Sequence, residues 1–442
     1  MKKVAEINFK IKNFLKENKC ILIVIAILFV VRLVAMIKLG VTYNLASDDT
    51  SYVLSGITLK NTGTLTMHEV ISAQIMPGMS VLIAIVSLIF GEGKIFWLAL
   101  KIIWILMGCL SAFMSYKCVK LFAPKWCALI TALLFLRPDF IWMDNIILTE
   151  TPFMLLLITM VYATFMMGKT YKKKYFIMCL TMYMLALMFK ANIGIYPVFA
   201  FIYLLLVKYD FKLLIKQGII IGITLMIFIV PWSIRNYNIY NKFIPLTYGA
   251  GNPKLLGTYQ GIGYPLDENL DYKKNVDDVV KEKYDSYYDK SGEIKDPIMK
   301  KYISLEADGV KAKYRLKEWW KSNPLSLIYS YIVIKPMDMV KSIFYWDEVF
   351  GVNKILLENI NFIEWIVCIL GIFTSIMLRK NIYEMLFLMM VYVGNIFVYA
   401  MTFSFDRYAA TLAPMRFISI GIGIGLILKL WKCGKKIGNE RY

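Results

Sequence analysis

The chain has 442 residues, of which 59% are hydrophobic and 19% are charged, and its mean hydropathy is +0.58. Because a soluble domain is only about half apolar, this composition excludes an ordinary soluble fold. The formal net charge is +20, but the basic residues lie mostly in short breaks between apolar runs. No basic stretch is interleaved with aromatic residues on a soluble domain of its own, so nucleic-acid binding is also disfavoured.

Ten apolar segments are predicted to cross the roughly 30 Å hydrocarbon core of a membrane as helices. The basic breaks at 117–125, 169–174 and 208–216, with both chain ends, are placed in the cytosol by the positive-inside rule. An eleventh stretch, 77–90, is too short and is predicted to be a re-entrant or interfacial helix. The predicted spans are residues 19–38, 95–116, 126–144, 150–168, 175–190, 193–207, 217–234, 360–378, 384–403 and 410–430.

This topology predicts three parts. Residues 1–234 form an amino-terminal transmembrane module that includes a first extracytoplasmic loop at 39–94. Residues 235–359 form a small extracytoplasmic segment, and residues 360–442 form the carboxy-terminal transmembrane helices. The extracytoplasmic segment ends in a stretch that is typical of an amphipathic or interfacial helix broken at Pro336.

Two adjacent carboxylates, Asp48 and Asp49, begin a predicted short helix in the first loop. Asp48 and Tyr52 are four residues apart and share a helix face, whereas Asp49 points about 100° away, so the two carboxylates cannot have the same role. In one interpretation, Ser47 caps the helix and the aspartates complement its dipole. In the other, one carboxylate acts as a general base on an acceptor hydroxyl group. The motif alone leaves both open.

Further charged residues are predicted on the same side of the membrane. Glu150 begins the fourth span, and Lys190, Arg235 and Arg407 lie at the extracytoplasmic ends of other spans. Considered singly, Glu150 is explained by its position in the first turn of a helix, and each cation is explained by snorkelling to the membrane interface. Taken together, the three cations are suited to stabilising a lipid phosphate as it becomes a leaving group.

Metal and nucleotide signals are weak. The only histidine, His68, adjoins Glu69, but a single histidine without ligand spacing does not define a metal site. No glycine-rich phosphate-binding loop is present, so neither nucleotide hydrolysis nor use of a soluble nucleotide sugar is supported. The requirement for a cofactor stays open between none and a divalent metal.

The order of these residues resembles the GT-C membrane glycosyltransferases, in particular the family of the protein O-mannosyltransferases and the bacterial aminoarabinose transferase of lipid A. The resemblance extends over nearly the whole chain. It is carried by Asp48-Asp49 with Tyr52, the Pro77-Gly78 step before an apolar helix, Glu150 in LTET, Lys190, the PWSIRNY stretch from Pro231 to Tyr237, and Arg407-Tyr408 with Pro414.

The resemblance implies a bacterial plasma-membrane enzyme that moves a sugar from a polyprenyl-phosphate donor to a glycan, lipid or protein acceptor of the cell envelope. Transfer would occur on the extracytoplasmic face, with inversion, among membrane lipids and without nucleic acid. The resemblance gives Asp48, Asp49 and Glu150 catalytic roles, with Asp48 as the leading candidate for the base. It assigns substrate binding to Tyr52, Lys190, Arg235 and Arg407.

Three alternative functions of a membrane protein predict other sequence features than those found here. A transporter or flippase of lipid-linked sugars would be expected to carry ionisable residues near the bilayer midplane and inverted repeats. Lys101, Arg137 and Asp139 do fall within predicted spans, but in their outer halves. A polymerase or ligase of lipid-linked oligosaccharides would be expected to use more arginines in its outer loops. A purely structural scaffold is disfavoured by the polar residues at the span ends.

Overall fold

The computed structural model describes residues 16–439, which are mostly helical, with a single two-stranded hairpin. The first fifteen residues and residues 440–442, parts of the two termini predicted to be cytosolic, lie outside the described residues. The all-α polytopic fold predicted from the sequence is confirmed.

Within the described chain, seven helices are long and apolar enough to cross a membrane. Each coincides with a predicted span. They are α1 (Lys19–Leu39), α4 (Lys94–Lys120), α7 (Glu150–Thr170), α10 (Phe211–Tyr240), α16 (Lys354–Leu378), α17 (Ile382–Ala400) and the helical run Asp406–Trp431, which comprises α18 (Asp406–Ala410) and the first part of α19 (Ala413–Asn439).

The other three predicted spans are shorter helices in the structure. Arg137 takes an extended conformation before Pro138, because proline disfavours a helical residue in front of it, and this breaks the third span. The span predicted at 126–144 is α5 (Lys125–Leu133), a 3₁₀ turn at Leu134–Leu136 and α6 (Pro138–Met143). The span predicted at 175–190 is α8 (Lys173–Phe189), and the span predicted at 193–207 is a 3₁₀ turn at Ala191–Ile195 followed by α9 (Tyr196–Leu206).

Close packing and buried ion pairs hold the helices together. A Cβ added to Gly371 of α16 would lie 2.7 Å from the Cα of Gly423 of α19, so the two backbones touch at this crossing. Arg32 of α1 donates to Asp144 at 2.7 Å, and both side chains are fully buried. Inside a membrane such pairing satisfies charges that would otherwise be costly.

Two long segments emerge from one end of the bundle, which we call the loop end. The first, 40–93, contains α2 (Asp48–Thr62), a hairpin of β1 (Thr66–Met67) and β2 (Val70–Ile71), and α3 (Gly78–Phe90). The helices α2 and α3 cross at Gly56, where an added Cβ would meet the side chain of Ile83. The predicted short apolar helix at 77–90 is thus present as α3.

The second segment, 241–353, forms a small helical unit against the first. Its tyrosine-rich core includes Tyr248, Tyr284 and Tyr302, and it packs on Tyr240 and on Ala73 of the first segment. The division of the chain at residue 234 stays a prediction. The unit's helices are α11 (Gly251–Gly257), α12 (Asp278–Lys283), α13 (Pro297–Ser322), α14 (Pro324–Tyr329) and α15 (Lys335–Lys341), with a π-helical turn at Ser330–Ile334 between the last two.

Candidate active site

Four of the predicted site residues meet at the loop end of the bundle. Arg407 donates through Nε to Glu150 Oε1 and through Nη1 to Asp48 Oδ2, each at 2.8 Å. Lys190 Nζ donates to the same Glu150 oxygen at 2.7 Å. The structure therefore brings Asp48, Glu150, Lys190 and Arg407 into one connected cluster, which we call the charge cluster.

Each member comes from a different part of the chain and sits where a helix begins or ends. Asp48 and Glu150 are the first residues of α2 and α7, and Lys190 directly follows α8. Arg407 lies in the first turn of α18. Helix ends at the loop end thus deliver all four side chains to one place.

Burial differs sharply within the charge cluster. The Glu150 side chain is fully buried, whereas the Asp48 side chain is 40% exposed. Two carboxylates balance two cations, which is the arrangement that makes buried charges tolerable. Asp48 is therefore the member of the cluster that is most open to a substrate, and Glu150 is placed to hold the two cations.

Aromatic rings lie beside Lys190 of the charge cluster. Lys190 Nζ lies 5.5 Å from the ring centre of Phe153 and 5.4 Å from that of Tyr408, and Tyr408 stacks on Tyr399 at 4.6 Å. Tyr52 is also buried, and burial raises the pKa of its phenol. The phenol of Tyr52 therefore stays protonated and able to donate a hydrogen bond.

Asp49 has different surroundings from Asp48. Its carboxylate accepts backbone N–H groups from Leu45 at 2.6 Å, Ser47 at 3.1 Å and Thr50 at 2.9 Å, and the residue is buried. Ser47, by contrast, makes no side-chain cap. These contacts fix the turn that leads into α2, which is a structural role for Asp49.

Arg235 does not join the charge cluster. Its Nη1 donates to the carbonyl of Ser72 at 2.9 Å, and its guanidinium lies 5.0 Å from the Trp232 ring centre. It connects α10 to the hairpin of the first segment. The structure therefore does not bring Arg235 together with the other predicted site residues, and its contact with substrate stays a prediction.

Metal ligands are not grouped in the described part of the chain. Residues 16–431 contain no group of three or more His, Cys, Asp and Glu side chains that could hold an ion. His68 Nδ1 pairs instead with Ser51 Oγ at 3.2 Å, one helical turn after Asp48. The cofactor requirement stays open.

Two residues that the sequence did not single out hold the loop before Arg407. Gln260 exchanges two 2.8 Å hydrogen bonds with the backbone of Ser404. Lys335 Nζ is buried and donates to the carbonyl of Thr402 at 2.8 Å, and Ser404 Oγ donates to the Lys335 carbonyl at 3.1 Å. No sequence signal could have found them, because both contacts join segments far apart in the chain.

The whole-chain fold is similar to that of known membrane glycosyltransferases. The archaeal oligosaccharyltransferase AglB from Archaeoglobus fulgidus, in complex with an inhibitory peptide and a dolichol-phosphate, aligns with a TM-score of 0.55 and 14% identity. The alignment covers 96% of this chain but only 52% of AglB, so this chain spans about half the length of that protein. A second structure of the A. fulgidus enzyme, tethered to an acceptor peptide, gives a TM-score of 0.52 at 12% identity and covers 94% of this chain and 50% of that one.

Weaker similarity links the chain to ArnT from Cupriavidus metallidurans bound to undecaprenyl phosphate. The TM-score is 0.42 at 14% identity, over 92% of this chain and 78% of ArnT. No curated protein sequence matches the chain. The similarity to AglB shows that the chain has a GT-C-like fold with several helices that could span a membrane, as the sequence predicted.

The family match is more local. Residues 76–234 match the family model described as dolichyl-phosphate-mannose-protein mannosyltransferase. This region runs from just before α3 into α10 and includes Glu150 and Lys190. The resemblance to that family is therefore confirmed for the part of the chain that carries half of the charge cluster.

Proposed function

We propose that this protein is a membrane glycosyltransferase that moves a sugar from a polyprenyl-phosphate donor to an acceptor of the cell envelope. The observation that carries the proposal is the charge cluster, in which the exposed Asp48 and the buried Glu150 share the guanidinium of Arg407. The local family match supports the donor class, because its description names a dolichyl-phosphate sugar. AglB, whose fold is similar, was captured with a dolichol-phosphate.

Asp48 is suited to be the general base. Its carboxylate takes the proton from an acceptor hydroxyl, and the resulting oxygen attacks the anomeric carbon of the donor sugar. The bond from that carbon to the phosphate oxygen breaks, and the polyprenyl phosphate leaves as an anion without needing a proton. Attack opposite the leaving group inverts the anomeric configuration.

Arg407 and Lys190 are suited to stabilise the phosphate charge that develops as this bond breaks. Preorganised donors in a partly dehydrated site are worth more there than in water. Glu150 holds both cations in position through one oxygen. Tyr52, protonated and buried next to Asp48 on α2, can donate a hydrogen bond to the donor.

The alternative of a transporter or flippase gains less support from the geometry. Most of the buried charges inside the bundle are paired with one another, whereas buried Lys101 donates to backbone carbonyls, including that of Tyr43 at 2.6 Å. Arg137 contacts Asp139 at 2.8 Å and Glu364 at 2.6 Å, and Arg416 contacts the same Glu364 oxygen at 2.7 Å. These salt bridges hold helices together, whereas a transport pathway needs ionisable groups that are free to exchange partners with the substrate.

The test is transfer of label from a polyprenyl-phosphate hexose or pentose to an envelope acceptor fraction by the purified protein in proteoliposomes. We expect Asp48→Asn and Glu150→Gln each to reduce transfer by about a hundredfold or more. The matched control is Glu92→Gln, which removes an exposed ion pair with Lys60 elsewhere in the first segment. Equal transfer by all variants would overturn the site assignment, and movement of a lipid-linked sugar across the vesicle without transfer would favour a flippase.

We also propose that the loop end faces the extracytoplasmic side of the plasma membrane. The basic breaks at the opposite end of the bundle support this orientation through the positive-inside rule. Labelling of an exposed thiol in Lys290→Cys by an impermeant reagent in intact cells, compared with the unsubstituted chain, tests it. Labelling only after the cells are opened would reverse the orientation.

A further inference from the structure

A helical rod on the loop-end unit has an unusual distribution of apolar residues. It consists of α14, the π turn and α15, eighteen residues from Pro324 to Lys341, and is about 27 Å long at 1.5 Å per residue. Six of its large apolar side chains are exposed, with exposed fractions from 38% for Val333 to 78% for Leu325. They recur at spacings of three and four and form one face, which we call the apolar face: Leu325, Ile328, Tyr329, Ile332, Val333 and Met337.

The opposite side of the rod faces the protein and carries polar residues, with the buried Met339 near its carboxyl end. Ser326 and Ser330 contact the backbone of Ile262, and Ser330 Oγ accepts its N–H at 3.1 Å. Lys335 Nζ donates to the carbonyl of Thr402. A surface helix of a soluble domain has the reverse arrangement, with its apolar stripe toward the core. The rod is therefore built for a nonpolar environment outside the protein.

The position of the rod along the bundle agrees with a membrane environment. Asn361 Nδ2 of α16 donates to the carbonyls of Val340 and Lys341 at 3.0 and 3.3 Å. Asn361 lies seven residues after Lys354, the start of this span, which is about 10 Å along the helix axis. The carboxyl end of the rod thus meets a membrane-spanning helix within its first third.

We propose that the apolar face inserts into the membrane leaflet at the loop end and contacts phospholipid acyl chains. Exposed Lys321 and Lys341, just before and at the end of the rod, are placed to meet headgroup phosphates. The contact is continuous with the lipid-facing surface of α16, whose Phe362 and Ile366 are also exposed. This inference does not depend on the proposed reaction.

Insertion would also fix the candidate active site relative to the membrane surface. The polar side of the rod holds Thr402 and Ser404 through Lys335, and Arg407 follows three residues after Ser404. A donor whose phosphate lies at the bilayer surface needs its cations at a defined depth. Because the rod contacts the loop that leads to Arg407, its depth in the membrane would set the depth of Arg407.

Photo-crosslinking of the full-length protein tests this contact. Benzoylphenylalanine replaces Leu325, Ile328 or Ile332 in nanodiscs of phosphatidylglycerol and phosphatidylethanolamine, and mass spectrometry identifies the adducts. The controls carry the same group at the exposed lysines Lys290 and Lys313 of the loop-end unit. We expect phospholipid adducts at the three positions of the apolar face and none at the controls.

Two outcomes would overturn the proposal. One is the absence of lipid adducts at both Ile328 and Ile332 in protein that is monodisperse in the nanodisc. The other is a cross-link to a second copy of the chain, which would make the apolar face a protein interface. As a second measurement, Ile328→Asp with Ile332→Asp should retain the fold in detergent but lower the yield of nanodisc-incorporated protein, whereas Lys290→Asp should not.

Discussion

Arg407 joins a buried carboxylate to an exposed one, because its Nε contacts Glu150 and its Nη1 contacts Asp48, each at 2.8 Å. The planar guanidinium can make both contacts at once, in fixed directions. Glu150 thereby fixes the position of Arg407, and Arg407 fixes that of Asp48. The arrangement leaves the proposed base accessible while its neighbours are rigidly held.

Substitution of Arg407 should therefore affect catalysis more than binding. We expect Arg407→Lys to retain charge but lose one of the two contacts, and Arg407→Gln to lower kcat of sugar transfer by about 10²–10³-fold, the usual cost of removing one charge-stabilising donor. Initial rates over a range of donor concentrations separate kcat from KM. Arg379→Gln, at the opposite end of the bundle, is the control. A change in KM alone for Arg407→Gln would contradict the role in charge stabilisation.

The neighbouring aspartates should give opposite phenotypes. Asp48→Asn should reduce transfer by about 10²–10⁴-fold, the range for loss of a general base, with little change in thermal stability. Asp49→Asn should instead lower the unfolding temperature, because both carboxylate oxygens accept backbone N–H groups at the start of α2, whereas an amide has only one acceptor oxygen. Transfer assays and thermal unfolding of both variants in detergent check this. An inactive but fully stable Asp49→Asn protein would exchange the two roles.

The sequence predicted the charge cluster only in part, and the physical reasons are specific. Asp48, Glu150, Lys190 and Arg407 were found because charges at span ends on one side of a membrane are forced to one surface. The contact between Asp48 and Arg407, however, joins residues 359 positions apart and cannot be read from spacing. Their predicted functions remain predictions.

The predicted end of the seventh span placed Arg235 wrongly. The sequence ended the seventh span at residue 234, after Pro231, but α10 includes Pro231 and continues to Tyr240. Arg235 therefore lies within a helix and reaches the hairpin at Ser72 instead of a loop next to the charge cluster. The prediction for the third span was wrong in the opposite direction. A continuous helix was expected over 126–144, but the chain breaks at Arg137 and Pro138 into shorter helices.

The helix crossing at Gly371 and Gly423 should be sensitive to a single methyl group. Gly371→Ala places a Cβ 2.7 Å from the Cα of Gly423, so α16 and α19 must move apart. We expect a lower unfolding temperature in detergent, since close backbone approach is what small residues provide between membrane helices. Gly222→Ala in α10 is the matched control, because its Cβ would meet nothing within 4 Å. Equal unfolding temperatures for the two variants would show that the crossing is not tightly packed.

Lys335 should make stability depend on pH. Burial lowers the pKa of Lys335 to about 7, whereas an unfolded lysine titrates near 10.4. Between these values the unfolded state binds more protons, so the free energy of unfolding contributed by this residue rises with pH and is lost as pH falls toward 7. We expect the unfolding temperature of Lys335→Met, relative to wild type, to be highest near pH 6 and to fall steadily up to pH 10. Lys313→Met, at an exposed site on α13, serves as the comparison and should show a smaller trend. A pH-independent difference between Lys335→Met and wild type would mean that Lys335 stays charged in the folded protein, held by the carbonyls of Thr402 and Gly257.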